Sequence, residues 1–147
     1  MKVVYTEKSQ VLAARTAQKL GCRLSEVKYT TFPDGEQSIR IMDDDDQMII
    51  ILPYMGYARQ DKKFNEGEPI SARAMARALS TGADRVFTIN IHDTSIPGHF
   101  RCPAKNLTIA PEIGEYISTM NLENPLILSP DEGAWEYAKG VSAVGKW

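Results

Sequence analysis

Four short segments of this chain concentrate side chains whose types and spacing suit chemistry. Phe32-Pro33-Asp34-Gly35-Glu36 offers a ring able to stack on a base, with acidic side chains able to accept hydrogen bonds from amino or hydroxyl groups. The same five residues also read as a surface turn, since Pro-Asp-Gly has the backbone preferences a turn needs. Arg59-Gln60-Asp61-Lys62-Lys63 combines a planar guanidinium fork with two mobile point charges, a set suited to a polyphosphate. Read blandly, it is an exposed charged loop, and Glu66 and Glu68 reduce its net charge. Asn90-Ile91-His92-Asp93 follows an apolar run, which places His92 just past a strand end with a carboxylate beside it. That position suits a ligand or metal role as well as a structural one. Ser129-Pro130-Asp131-Glu132-Gly133 follows another apolar run. Asp131 then either caps the next helix or joins His92 around a shared Mg²⁺, an ion that takes only one or two protein carboxylates plus substrate phosphates.

The elements that must position these residues alternate between strand and helix. Val3–Tyr5, Glu26–Thr31, Gln37–Met42, Met48–Leu52, Val86–Ile91 and Leu126–Leu128 read as strands, the fourth as a fully buried one. Ser9 opens a helix that places Leu12, Thr16, Ala17 and Leu20 on one face and stops at Gly21. Pro69 pre-sets the first turn of a second helix, with Ala72, Met75, Ala76 and Leu79 inward and Arg73 and Arg77 outward, ending at Gly82. Pro111–Met120 reads as a helix with Ile113, Tyr116, Ile117 and Met120 inward, and Ala134–Val141 as the last helix. This alternation predicts an α/β fold with a mainly parallel sheet flanked by helices, in which ligands sit beyond the carboxyl ends of the strands.

Composition narrows the function classes. The 147 residues carry a net charge of −2, so no global field recruits nucleic acid or an anionic membrane. Cys22 and Cys102 lack metal-ligand spacing and read as reduced structural thiols. His99 sits in a Pro-Gly-His-Phe loop and reads as structural. No apolar run reaches the length of a membrane span, and the first residues show no signal-peptide pattern, so the expectation is a soluble, cytoplasmic protein. The phosphate-binding signatures GxxxxGK[ST] and GxGxxG are absent, so any nucleotide site is of another design.

Taken in order, FPDGE, PYMGYARQDKKF with EPISARAMARAL, GADRVFTINIHD and LSPDEG resemble the ribose-phosphate diphosphokinases, in the style of archaeal members. The resemblance covers nearly the whole chain. It implies a phosphoribosyltransferase-like α/β fold, usually in homo-oligomers. The implied reaction transfers a diphosphoryl group from ATP to ribose 5-phosphate, with Mg²⁺ required, giving phosphoribosyl diphosphate and AMP. By position, Phe32, Asp34, Gly35 and Glu36 match the family's adenine loop. Arg59 and Gln60 match its ATP-binding pair, and Asp61, Lys62 and Lys63 open its mobile loop, which runs to Glu68. His92 and Asp131 match its Mg²⁺-associated residues.

Two departures shape the expectation. Asp43–Asp46 runs almost directly into Met48–Leu52, where family members carry a further strand–helix unit. The family's catalytic lysine region and its Asp-Thr-Gly-Gly-Thr loop for ribose 5-phosphate are not found within residues 1–147. On this reading residues 1–147 form an N-terminal, ATP-side domain with the ribose-phosphate-binding domain largely absent. The alternative is a non-catalytic nucleotide-binding or regulatory subunit of such an enzyme.

Overall fold

The computed structural model describes residues 2–42 and 47–145, and the acidic tract Asp43–Asp46 lies outside the described residues. Backbone contacts divide the chain into two compact units, Met1–Met48 and Ile49–Trp147.

In the first unit, β1 (Lys2–Val3) and β2 (Arg23–Leu24) pair in parallel around α1 (Gln10–Leu20). The first strand is shorter than the apolar run Val3–Tyr5 suggested. Ser9 does precede α1, but its hydroxyl makes no cap for that helix. It accepts the Thr6 N–H at 2.9 Å instead, closing a tighter turn over Glu7–Ser9. Gly21 ends α1 in the left-handed conformation at φ 62°, as a glycine stop requires. The face of α1 matches expectation in part: Ala17 is buried as expected, but Ala13 joins it and Leu12 and Leu20 are exposed. Small side chains win the inner positions because they let the helix lie close to its neighbours.

The rest of this unit is an antiparallel hairpin, β3 (Val27–Thr31) with β4 (Gln37–Ile41), registered Val27 to Ile41 and Thr31 to Gln37. The Tyr29 hydroxyl ties the hairpin to the segment after β1 by donating to the Tyr5 carbonyl at 2.6 Å.

In the second unit, β5 (Ile49–Leu52), β6 (Arg85–Ile89) and β7 (Ala104–Leu107) form a parallel sheet in that order. The helix α2 (Ser71–Leu79) connects β5 to β6. Its inner stripe is as expected: Ala72 and Ala76 are fully buried, Met75 and Leu79 are half-buried, and Arg73 and Arg77 face outward. Ala72, Met75, Ala76 and Leu79 pack with Val86, Ile91, Ile96, Phe100, Met55 and Ala58 into one core. Pro69 lies two residues before the first helical residue rather than at it.

Three further expectations change. β5 is not fully buried: Ile50 and Leu52 pack on the core, but Ile49 and Ile51 are 40% and 41% exposed. β5 is the sheet edge and is fully covered from one side alone. Leu126–Leu128 forms no strand; Leu126 and Leu128 are among the most exposed large apolar residues described. Between α3 (Ala110–Ser118) and α4 (Trp135–Val144), the buried face of α3 is Ala110 and Gly114, while Ile113, Tyr116 and Met120 are exposed. Gly114 explains the inversion. A Cβ there would stand 2.5 Å from the Val141 carbonyl oxygen, so only glycine permits this helix–helix approach.

Candidate functional site

The turn Phe32–Glu36 is built by its own backbone. The Phe32 N–H donates to the Glu36 carbonyl, the Gly35 N–H donates to the Phe32 carbonyl, and the Glu36 N–H is accepted by the Asp34 carboxylate at 3.1 Å. Gly35 holds φ 90°, a conformation that demands glycine. Phe32 is 49% exposed and Glu36 is exposed, so ring and carboxylate face solvent at the tip of the hairpin. The Asp34 carboxylate spends one oxygen on the turn.

The second unit assembles the charged loop. After β5 the chain dips inward, burying Met55 and Ala58 in the core, and turns through Tyr57 at φ 63°. Arg59 and Gln60 therefore emerge exposed directly beside an anchored residue. The Gln60 carbonyl accepts the Ala72 N–H at 3.1 Å, satisfying one of the donors left open in the first turn of α2. This links the loop to the helix where Ile70, the capping residue, has no side-chain acceptor.

Farther along, the Glu68 carboxylate gathers the loop by accepting the N–H groups of Phe64 and Asn65, each at 3.1 Å, and the Asn65 amide. Those bonds, the Asn65 side chain foremost, hold the Glu68 carboxyl below its ordinary range. Lys62 Nζ lies 5.6 Å from the Phe64 ring centroid, a cation–π distance. Arg59, Gln60, Lys62, Phe64, Glu68 and Pro69 together line a cleft of about 550 Å³.

Because β5 and β6 are parallel neighbours, the segment after β6 leaves the same sheet end as this loop. β6 closes at Asn90, which takes φ 47°, and its side-chain oxygen accepts the Ile109 N–H. Ile91 is then held on both sides of its backbone. Its N–H donates to Asn106 Oδ1 at 3.0 Å, and its carbonyl accepts the Tyr137 hydroxyl at 3.0 Å. Asn106 Oδ1 also takes the hydroxyl of the fully buried Thr88. His92 therefore projects, exposed, from a fixed backbone.

Asp93 is kept charged. Hydrogen bonds from the Ser95 hydroxyl and N–H lower its carboxyl the most, and the charges of His92 and Lys62 add to that. Asp131 is exposed and caps the short turn before α4, its Oδ1 accepting the Ala134 N–H at 2.9 Å. Capping accounts for one of its oxygens.

Among the described residues no group of three or more His, Cys, Asp or Glu could hold a metal ion. The donors fit an ion that arrives with its ligand's phosphates, since Mg²⁺ typically keeps several waters and uses one or two carboxylates. The His92 imidazole is a borderline nitrogen donor, poorly matched to a hard ion in direct contact, and suits contact through a bound water. His99 is half-buried in the short turn Ile96–His99, and Cys22 and Cys102 are free and half-buried. No described helix is long and apolar enough to cross a membrane. The sequence pattern missed the supports of this site. Met55, Ala58, Asn106 and Tyr137 do their work through burial and long-range bonds, and only the left-handed preference of asparagine hinted at Asn90.

Comparison with known proteins places this arrangement. Residues 43–82 match the N-terminal domain of ribose phosphate pyrophosphokinase. A ribose-phosphate pyrophosphokinase of Methanosarcina acetivorans is 45% identical, covering 97% of this chain and 60% of the relative. That of Halobacterium salinarum is 38% identical, covering 90% of this chain and 58% of the relative. The crystal structure of phosphoribosylpyrophosphate synthetase from Mycobacterium smegmatis superposes with a TM-score of 0.83 at 26% identity, covering 99% of this chain and 61% of that one. This chain thus spans about three fifths of the length of the relatives it matches. The Methanosarcina alignment runs over 173 positions against the 147 residues here, so at least 26 of its positions have no counterpart. Over nearly its whole length the chain is similar to the N-terminal part of ribose-phosphate pyrophosphokinases.

Proposed function

We propose that this chain provides the ATP side of a ribose-phosphate diphosphokinase. The observation that carries the reading is the cleft formed by Arg59, Gln60, Lys62, Phe64 and Glu68, whose loop leaves the same sheet end as His92. Phosphoryl-type transfer asks a protein for positioning and charge neutralisation more than for covalent chemistry, and this loop is rich in those means. In the proposed reaction the ribose 1-hydroxyl oxygen bonds to the β-phosphorus of ATP. The bond from that phosphorus to the α–β bridging oxygen breaks, AMP departs with that oxygen and its electron pair, and the hydroxyl proton passes to solvent.

Arg59 serves as the bidentate phosphate clamp and Lys62 as a point charge on the same triphosphate. By the family resemblance, the loop of Phe32, Asp34 and Glu36 serves the adenine of a nucleotide bound across a subunit interface, with Phe32 stacking and the carboxylates accepting hydrogen bonds. Mg²⁺, when bound, neutralises the phosphate oxygens. Asp131 would hold it through its uncapped oxygen and His92 through water. Asp61 to Glu68 close over the reactants and exclude water, with Lys63 at the rim. The proposed setting is a cytoplasmic homo-oligomer, which sedimentation of the purified chain tests.

The experiment is direct. ATP is titrated with Mg²⁺ into the purified chain, and AMP release is then followed after ribose 5-phosphate is added. Arg59→Ala weakens ATP binding by about 1.5–3 kcal/mol if the arginine makes a charge-assisted phosphate contact. Unchanged affinity refutes the site. ATP binding without AMP release refutes autonomous catalysis and selects the alternative, a nucleotide-binding or regulatory subunit.

A further inference from the structure

The two residues ahead of His92 are bonded to helices that come later in the chain. Asn90 Oδ1 accepts the Ile109 N–H at 3.2 Å, which fixes the residue just before α3. α3 and α4 then meet at two glycines. A Cβ on Gly114 would stand 2.5 Å from the Val141 carbonyl oxygen, and one on Gly140 would stand 3.1 Å from the Ala110 Cβ. α4 closes the circuit, because its Tyr137 hydroxyl donates to the Ile91 carbonyl at 3.0 Å across a separation of 46 residues.

Asp131 sits on the turn that opens α4. The Ser129 hydroxyl donates to the Asp131 carbonyl, and the Asp131 carboxylate accepts the Ala134 N–H at 2.9 Å. Asp131 is thereby fixed to the turn Glu132–Ala134, which leads directly into Trp135 and α4. Tyr137 lies six residues past Asp131 on that same element, and its acceptor belongs to the residue immediately before His92. One phenol thus joins the element that carries Asp131 to the strand end that carries His92. Tyr137 is half-buried, and a phenylalanine would fill the same space. The ring alone supplies no direction. A hydrogen bond to a fixed carbonyl does, since it tolerates only a narrow range of distance and angle.

We infer that Tyr137 is a positioning residue whose hydroxyl sets the separation between His92 and Asp131. The inference rests on the reading of those two residues as the ones that hold Mg²⁺. That ion demands near-ideal octahedral geometry and takes few protein ligands, so the groups that orient those ligands from behind govern affinity. Without the hydroxyl, α4 stays packed on α3 through Gly114 and Gly140, but Asp131 loses its register with the end of β6. The loss falls on the metal-dependent part of ATP binding. Tyr137 does not line the Arg59 cleft, so the metal-free part is untouched.

The test measures ATP affinity of the purified chain by calorimetry with and without Mg²⁺; the ratio of the two is the gain due to the ion. Asp131→Asn keeps the cap, because asparagine accepts the same N–H, and calibrates the assay by lowering the ratio. Tyr137→Phe is expected to lower the ratio about tenfold, the smaller end of what loss of an orienting group costs a metal site, with metal-free affinity unchanged. Asp131→Asn added to Tyr137→Phe should then cost less than it does alone, because the carboxylate is already displaced. Mn²⁺ gives a readout independent of affinity. With ATP it should broaden the amide signals of His92 and Asp131 together in the native chain and unequally in Tyr137→Phe; the same broadening in both proteins counts against the inference. A ratio lowered by Asp131→Asn but not by Tyr137→Phe overturns the role of Tyr137 and leaves the ATP-side reading standing, as does a weakening of equal size with and without Mg²⁺. Asp131→Asn without effect on the ratio removes Asp131 from the metal site and sinks the inference together with that part of the reading.

Discussion

Asn106→Leu removes one acceptor that serves two donors while leaving side-chain volume nearly unchanged. In the native chain Asn106 Oδ1 takes the Thr88 hydroxyl and the Ile91 N–H, each at 3.0 Å. Thr88 is fully buried and Ile91 is 4% exposed, so water does not readily replace the lost partner. A buried donor left unsatisfied costs about 1–3 kcal/mol. The Thr88 hydroxyl can rotate toward another acceptor but the Ile91 N–H cannot, which sets the expected total at about 2–4 kcal/mol. Urea unfolding of the purified chain reads this as a lowered midpoint at constant slope. Thr88→Val supplies the internal check. In the double variant one of the two orphaned donors no longer exists, so the penalties are sub-additive by about 1 kcal/mol. A loss below about 0.5 kcal/mol for Asn106→Leu, or strict additivity, would refute the argument that Asn106 braces the backbone ahead of His92.

Other outcomes follow from the same geometry. Gly114→Ala sets a methyl 2.5 Å from the Val141 carbonyl oxygen, so it destabilises by about 1–3 kcal/mol, measured as a lower melting temperature. Tyr137→Phe removes the donor to the Ile91 carbonyl and costs about 0.5–1.5 kcal/mol, with amide shifts concentrated at Ile91 and His92. The Glu68 carboxyl lies below its ordinary value when folded, so the order it gives the loop is complete above the ordinary carboxyl pKa of about 4.3 and is lost as pH falls through the lowered folded value. Amide exchange at Phe64 and Asn65 should accelerate over that acid range, and Glu68→Gln should flatten the dependence; a pH-independent rate in the native chain contradicts the capping role.

What the sequence made legible depended on local rules. The Pro-Asp-Gly turn, the Ala72/Ala76 stripe with Arg73 and Arg77 outside, and the strand feeding His92 each follow from spacing or turn chemistry within a few residues. The failures share a different cause. The four residues Ala104–Leu107 have no strong strand pattern and become β7 because they pair with β6. Leu126–Leu128 has the pattern but no paired neighbour, and it stays irregular. Leu12, Leu20, Ile113 and Met120 suggested helix faces by hydrophobicity. Ala17 is buried as its spacing suggested, but Ala13 and Gly114 won the remaining places by size, since close approach to a neighbour rewards small residues. Arg59, Gln60, His92 and Asp131 could be picked out by chemical type. Their supports, Met55, Ala58, Asn106 and Tyr137, act across sequence separations of up to 46 residues, beyond the reach of any local pattern.

The central claim is that the loop after β5 and the end of β6 form one nucleotide site. Backbone amide spectra recorded while MgATP is added to the full chain test it most directly. The account predicts saturable shifts concentrated at Arg59–Glu68 and at Ile91–Ser95, both lost in Arg59→Ala. Saturable binding that shifts neither segment, or that survives Arg59→Ala unchanged, would contradict it.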